Sequence, residues 1–218
     1  MSIIIKSMQT SIQEDHQQAI KKAIHMLNVP EDAVQSAHII KTSLDARKRS
    51  DVHFVHSVSV LLESGERQAV QRAANQQITL QEEHPLEVPI GTKKLNARPI
   101  VVGFGPAGMF AGLLLARHGY RPIILERGSE IDRRVSAVEQ FWNQGILNPQ
   151  TNVQFGEGGA GTFSDGKLTT RIGDSKCGWV LKEFVKFGAP SEILYKAKPH
   201  IGTDRLREAV KNIRKEII

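Results

Sequence analysis

The 218-residue chain has a single cysteine, Cys177. That excludes a disulfide framework within the chain and a CxxC redox pair, and it fits a reducing, cytoplasmic compartment. No apolar run approaches the length of a membrane span; the strongest, GLLLA, is five residues long. The N-terminal MSIIIKSMQTSIQEDH carries early acidic residues and too short an apolar stretch for a signal peptide. The 8 histidines show no H-x-x-x-H or Cys/His spacing, so no metal site is expected. Aromatic residues are only 6% of the chain. The leading region lacks the aromatic pair of an RNA-binding sheet. There is no internal repeat, no low-complexity segment and no basic tail.

What is present is an ordinary globular composition, 40% hydrophobic and 24% charged, with enough apolar material for a core. The formal charge is +6, with the cations spread along the chain rather than clustered. Such a balance suits an anionic nucleotide ligand; neither a membrane nor a nucleic acid is expected as a partner. The DARKRSD segment reads as a solvated hairpin tip, and Lys167 and Arg171 as solvated charge or contacts to an anion.

Residues 1–80 alternate strand and helix signals. Ile3 to Ile5 is a short apolar run. Asp15 can cap a helix in which Ile20, Ile24 and Leu27 recur at helical spacing, and Pro30 ends it. His38 to Leu44 is β-prone. Val52, Phe54, Val58, Val60 and Leu62 fall on one face at period two, and His53 and His56 read as side chains of the sheet surface. Ser64 and Gly65 open a short helix reaching about Ala74, and Ile78 to Leu80 is one more strand. The order β-α-β-β-α-β is that of a small α+β ferredoxin-like domain. Residues 81–97, with two prolines and little periodicity, read as a linker.

From residue 98 the pattern changes. Ile100-Val101-Val102 reads as a buried strand of a parallel sheet. Gly103-Phe104-Gly105-Pro106-Ala107-Gly108 follows, a G-x-G-x-x-G. A helix from about Pro106 to His118 comes next, with Ala111, Leu114 and Leu115 apolar and Gly119 as its stop. A second strand, Pro122 to Leu125, ends in Glu126. Strand, glycines, helix and acid in this register are the context that makes the motif meaningful. Gly103 permits the tight turn, Gly105 lets the backbone approach a pyrophosphate, and Gly108 lets the helix pack on the strand. The helix N-terminus offers N–H groups and partial positive charge to phosphate. Glu126 can accept hydrogen bonds from both ribose hydroxyls and would repel a 2′-phosphate, which argues against NADP. The motif alone fits FAD or NAD.

A second glycine cluster follows in NVQFGEGGAGTFSDGKLTTR. Gly156, Gly158, Gly159, Gly161 and Gly166 are too many for a helix or an ordinary strand, and Val153, Phe155 and Phe163 resist free solvation. Successive N–H groups here could form an anion nest or lie against an isoalloxazine ring. Cys177 has no thiol partner and reads as a packed or surface residue. The last segment, Thr203 as cap with Leu206, Val210, Ile213 and Ile217 on one face, is an amphipathic helix, and His200 just before it is a candidate for the active-site side.

RPIVVGFGPAGMFAGLLLARHGYRPIILERG, the arginines of IDRRVSAVEQFWNQG, the NVQFGEGGAGTFSDGKLTTR run and KPHIGTDRLREAVKNIR together resemble the bacterial NAD(FAD)-utilising dehydrogenases. SLDARKRSDVHFV resembles the leading domain of that family. The wider relatives are flavoproteins with a glutathione-reductase type of FAD domain. The resemblance implies an α/β architecture, with an incomplete Rossmann-like FAD-binding βαβ unit in residues 98–218. It implies FAD contacts from Gly103, Gly105, Pro106, Ala107, Gly108, Glu126 and Arg127. It implies an arginine reaching the pyrophosphate, Arg134 or its neighbour Arg133, and a place near pyrophosphate and flavin for Gly158, Gly159, Ala160, Gly161 and Thr162. Members of the family are considerably longer, so this sequence reads as the N-terminal portion of a longer protein. The expected function is that of an FAD-dependent oxidoreductase acting on an unidentified small molecule, with NAD(P)H as a candidate electron donor and no side chain assigned as acid or base. The alternatives are a non-catalytic nucleotide- or RNA-binding module, or NAD rather than FAD at the Gly103 site.

Overall fold

The computed structural model describes residues 1–82, 86–89, 91–164, 166–168, 170, 172, 174 and 176–218; Arg171 lies outside them. The chain is mixed α/β, with a four-stranded antiparallel sheet and a two-stranded parallel one. It divides into two compact units, residues 1–87 with 194–199, and residues 88–193 with 200–218. The six residues 194–199 thus depart from the single block expected for 98–218. They join the first unit because Thr42 N–H donates to Tyr195 O at 2.7 Å and Ala197 N–H donates to Thr42 O at 2.9 Å.

The first unit has the expected β-α-β-β-α-β order: β1 (Ser2–Ser11), α1 (Gln17–Leu27), β2 (Val34–Asp45), β3 (His53–Leu62), α2 (Glu66–Ala73) and β4 (Ile78–Gln81). Its strands pair antiparallel in the order β2-β3-β1-β4. Asp15 acts one residue outside the helix start, its carboxylate accepting Gln17 N–H at 3.1 Å, and Asn28 closes α1 in the left-handed conformation. Ile3, Ile5, Ala19, Ala23, Leu27, Val58, Val60 and Leu62 form the core.

His56 corrects the sequence reading: it is 1% exposed and faces that core side. Its parity along β3 is that of Val58, Val60 and Leu62. Its ring is accommodated because Thr10 Oγ1 and Thr42 Oγ1 lie 2.9 Å from Nε2 and Nδ1. Burial first, and then His16 and Lys22, hold its pKa below the ordinary imidazole value.

The second unit contains β5 (Ile100–Val102), α3 (Pro106–Arg117), β6 (Ile123–Leu125), α4 (Ile131–Gln144), α5 (Lys176–Lys186) and α6 (Thr203–Ile217). β5 and β6 are parallel, pairing Ile100 with Ile123 and Val102 with Leu125. β5 is not the buried strand expected. Ile100 is 62% and Val102 82% exposed, because only the face carrying Val101 and Ile124 is covered by helices. Along α3 the buried stripe is Met109, Gly112 and Leu113, not Ala111, Leu114 and Leu115; the spacing is the same and the phase differs. Gly119 stops α3 with φ +76°. α6 buries Leu206, Ala209, Val210 and Ile213, but its N-cap is Gly202, because the Thr203 hydroxyl donates instead to Ser164 O at 2.8 Å. Among the described residues no helix is long and apolar enough to cross a membrane.

Candidate nucleotide site

The first glycine motif forms the expected strand-turn-helix. Gly103 has φ +90°, a conformation that L side chains rarely adopt, and its N–H extends the ladder to Leu125 O at 2.7 Å. A Cβ on Gly108 would stand 2.0 Å from Gly103 O and 3.3 Å from Val101 Cγ1. Only glycine therefore lets α3 start this close to β5. Gly105 caps α3 with no side chain closing the end, and Pro106 occupies the first turn. The N–H groups of Ala107 and Gly108 are left at an open helix terminus, where the backbone dipoles favour an anion.

Glu126 stands at the end of β6 and is tied to the same turn. One carboxylate oxygen accepts Phe104 N–H at 2.7 Å and the other accepts Gly128 N–H at 2.9 Å. The carboxylate thus fixes the loop between β5 and α3. Each oxygen keeps a second lone pair for another donor.

The second glycine run folds onto the first. Gly158 N–H donates to Phe104 O at 2.8 Å. A Cβ on Gly159 would lie 3.1 Å from Pro106 Cδ and 3.2 Å from Gly105 Cα. Gly156, Gly158 and Gly159 all have positive φ, and Ala160–Phe163 form a single 3₁₀ turn. The path is also pressed against the turn after β6, since a Cβ on Gly128 would be 2.5 Å from Gly156 Cα.

Arg134 on α4 holds this run in place. It is 0% exposed. Its Nε donates to Asn152 O, its Nη2 to Val153 O, and its Nη1 to the carbonyls of Gly156, Glu157 and Gly159, over 2.6 to 3.2 Å. Burial lowers its pKa, opposed by Glu126 and Glu157. Its guanidinium also lies 4.8 Å from the Phe163 ring centroid. Arg134 is therefore engaged with the main chain of the second glycine run. Arg133 is turned outward, its side chain 82% exposed. Arg127 lies over the Phe155 ring at 3.6 Å.

Glu157 was not singled out from the sequence, where it was one acid among glycines. It is 3% exposed. One oxygen accepts Ile131 N–H at 2.7 Å, closing the start of α4, and the other faces Arg214 Nε at 3.2 Å. Burial raises its pKa against those two partners. It borders a cavity of about 540 Å³ with Phe104, Glu126, Gly128, Ile124 and Ile217.

The remaining candidates lie elsewhere. Lys167 and His200 face each other in an isolated antiparallel bridge, and His200 is exposed. Cys177 is half-buried at the start of α5, its Sγ 3.9 Å from Ile172 O. Among the described residues no group of three or more His, Cys, Asp or Glu could hold a metal ion.

Residues 3–61 match the family model described as a domain of unknown function, DUF8436. The whole chain is 49% identical to an uncharacterised protein of Clostridium beijerinckii and spans 41% of that relative's length. The match takes in both glycine runs, Glu126 and Arg134.

Proposed function

We propose that the second unit binds the ADP portion of FAD, and that the protein works as part of an FAD-dependent oxidoreductase. Gly105 carries the reading. Its φ is −76°, so the backbone needs no glycine. A Cβ there would meet only Gly159 Cα at 3.9 Å, so the packing needs none either. Gly161 is similar, with nothing within 4 Å of the missing Cβ. A glycine costs unfolded-state entropy without return unless something outside the chain must approach the backbone. Gly105 sits where a pyrophosphate would approach it: beside the uncapped start of α3, across from a strand-end carboxylate and under the second glycine run.

In this reading the N–H groups of Ala107 and Gly108 receive the pyrophosphate, and Glu126 accepts the ribose hydroxyls. Gly158 to Thr162 present main chain toward the same ligand, and Arg134 positions them. The flavin, when bound, would supply hydride transfer from a small-molecule substrate or a reduced nicotinamide nucleotide; the protein binds and orients. The antiparallel order β2-β3-β1-β4 supports a ferredoxin-like reading of the leading unit.

The test is the visible spectrum of the purified protein, followed by identification of the nucleotide released on denaturation and by titration with FAD. Bound or titratable FAD, weakened by Glu126→Ala, is the expected result. Release of NAD, or absence of FAD binding in the full-length relative as well as in this chain, refutes it.

A further inference from the structure

The β5–β6 sheet is covered on one side only. Val101 and Ile124 face the helices: Gly108 approaches Val101, and Gly112 would meet Ile124 Cδ1 at 2.7 Å if it carried a Cβ. The opposite face shows Ile100, Val102, Ile123 and Leu125, exposed by 62, 82, 37 and 53%. The register pairs Ile100 with Ile123 and Val102 with Leu125, so the four apolar side chains form one contiguous patch. Parallel sheets bury both faces, and two strands alone make a marginal sheet with open edges.

The Clostridium beijerinckii relative supplies a candidate for the occupant. It is 49% identical along this whole chain, sheet included, yet the chain accounts for only 41% of its length. The relative therefore carries more than as much polypeptide again outside the matched stretch, which includes the positions of β5 and β6.

We propose that the bare face of the β5–β6 sheet is a docking surface for a further stretch of polypeptide of the kind the relative carries outside the matched part. That stretch lays an apolar β/α element over Ile100, Val102, Ile123 and Leu125. The occupant is polypeptide rather than a small apolar ligand, because among the described residues neither strand pairs with a third, and another backbone can extend such an edge while covering the patch. The surface is independent of the Gly105 site, and its test reads complex formation rather than flavin.

The probe is the part of the relative outside the matched stretch, produced as a separate polypeptide together with the tagged full chain. The expected result is co-purification, with slowed hydrogen exchange at residues 100–102 and 123–125. Val102→Asp with Leu125→Asp should weaken capture roughly tenfold or more, since it sets unpaired charge in an apolar contact. Both positions are exposed in the free chain, so the variant should keep the wild-type circular dichroism. Ile12→Asp, exposed and in the other unit, should capture as wild type. As a second measurement, anilinonaphthalene sulfonate should fluoresce on the free chain and lose that signal in the double variant. Failure to co-purify, or capture by the double variant equal to wild type, overturns the proposal. So does a homodimer that Val102→Asp dissolves, which would give the face to a second copy.

Discussion

The two units hold themselves together by different means. In the first, Ile3, Ile5, Val58, Val60, Ala19 and Leu27 exclude water between four antiparallel strands and their helices; the stabilisation is non-directional and scales with apolar area. The second unit has an apolar core of its own around α3, α5 and α6. Its glycine runs are fixed by another device: close backbone contact that only glycine permits, locked by one buried arginine donating to five carbonyls. Apolar packing makes a stable body. Backbone held by glycine and arginine keeps a main-chain path that side-chain packing alone would not fix.

Removing the lock should show the contrast most strongly. Arg134→Ala removes the guanidinium donor from those five carbonyls, of which, among the described residues, only Gly156 O and Gly159 O also accept a main-chain N–H, and opens a void beneath the run. Truncating one side of a buried charged network costs roughly 3–5 kcal/mol. Arg134→Lys should recover only part of this, because one ammonium cannot replace the planar fork. The expected outcome is faster hydrogen exchange at residues 152–163 and a lower unfolding midpoint for the second unit, with exchange in β1 and β3 unchanged. An equal effect on both units would mean that they unfold together and that the contrast is not energetic.

These two kinds of stability differ in how far a sequence displays them. Periodicity reports apolar faces, so the β-α-β-β-α-β order and the six strands could be read directly. His56 was legible too, since it shares the parity of Val58 and Val60, but polarity outweighed position in that reading. The phase of the α3 stripe was not, because MFAGLLLA is apolar all round and several faces fit equally. The exposure of Ile100 and Val102 was hidden for a different reason: strand composition records what a face is made for, not whether the chain itself covers it. The glycine motif and Glu126 were recognisable from spacing. The roles of Arg134 and Glu157 were not, because a buried ion's partners here are main-chain groups and a distant Arg214, and neither leaves a trace in local sequence.

Among the glycines the comparison sharpens to single atoms. Gly108→Ala forces a Cβ within 2.0 Å of Gly103 O. It should destabilise the second unit by about 1–3 kcal/mol, as overpacking does, whatever is bound. Gly105→Ala meets only ordinary contact at an ordinary φ. It should leave stability within about 0.5 kcal/mol of wild type, while weakening FAD by roughly tenfold or more if a pyrophosphate lies against it. Chemical denaturation and FAD titration of the two variants separate structure from ligand. A Gly105→Ala protein that binds FAD normally removes the central support for the proposed function.

The smallest effect belongs to the first unit and is read by acid. His56 is kept neutral by burial, with His16 and Lys22 adding repulsion, so its folded pKa lies below that of the unfolded chain. Above about pH 6.5, the ordinary imidazole value, neither state binds a proton there and stability is flat. Below it the unfolded chain takes up a proton that the native Thr10-His56-Thr42 arrangement refuses, and stability falls until the folded pKa is reached. The slope for one such proton cannot exceed about 1.4 kcal/mol per pH unit, and between pH 5 and 6.5 it is not yet mixed with the main titration of carboxylates. The unfolding midpoint of the first unit should therefore drop through that window, with the second unit's midpoint changing less. His56→Gln should flatten the drop whatever it does to the absolute midpoint. If the slope survives that substitution, the acid sensitivity belongs to another group, and the polar patch inside the apolar unit is only a packing detail.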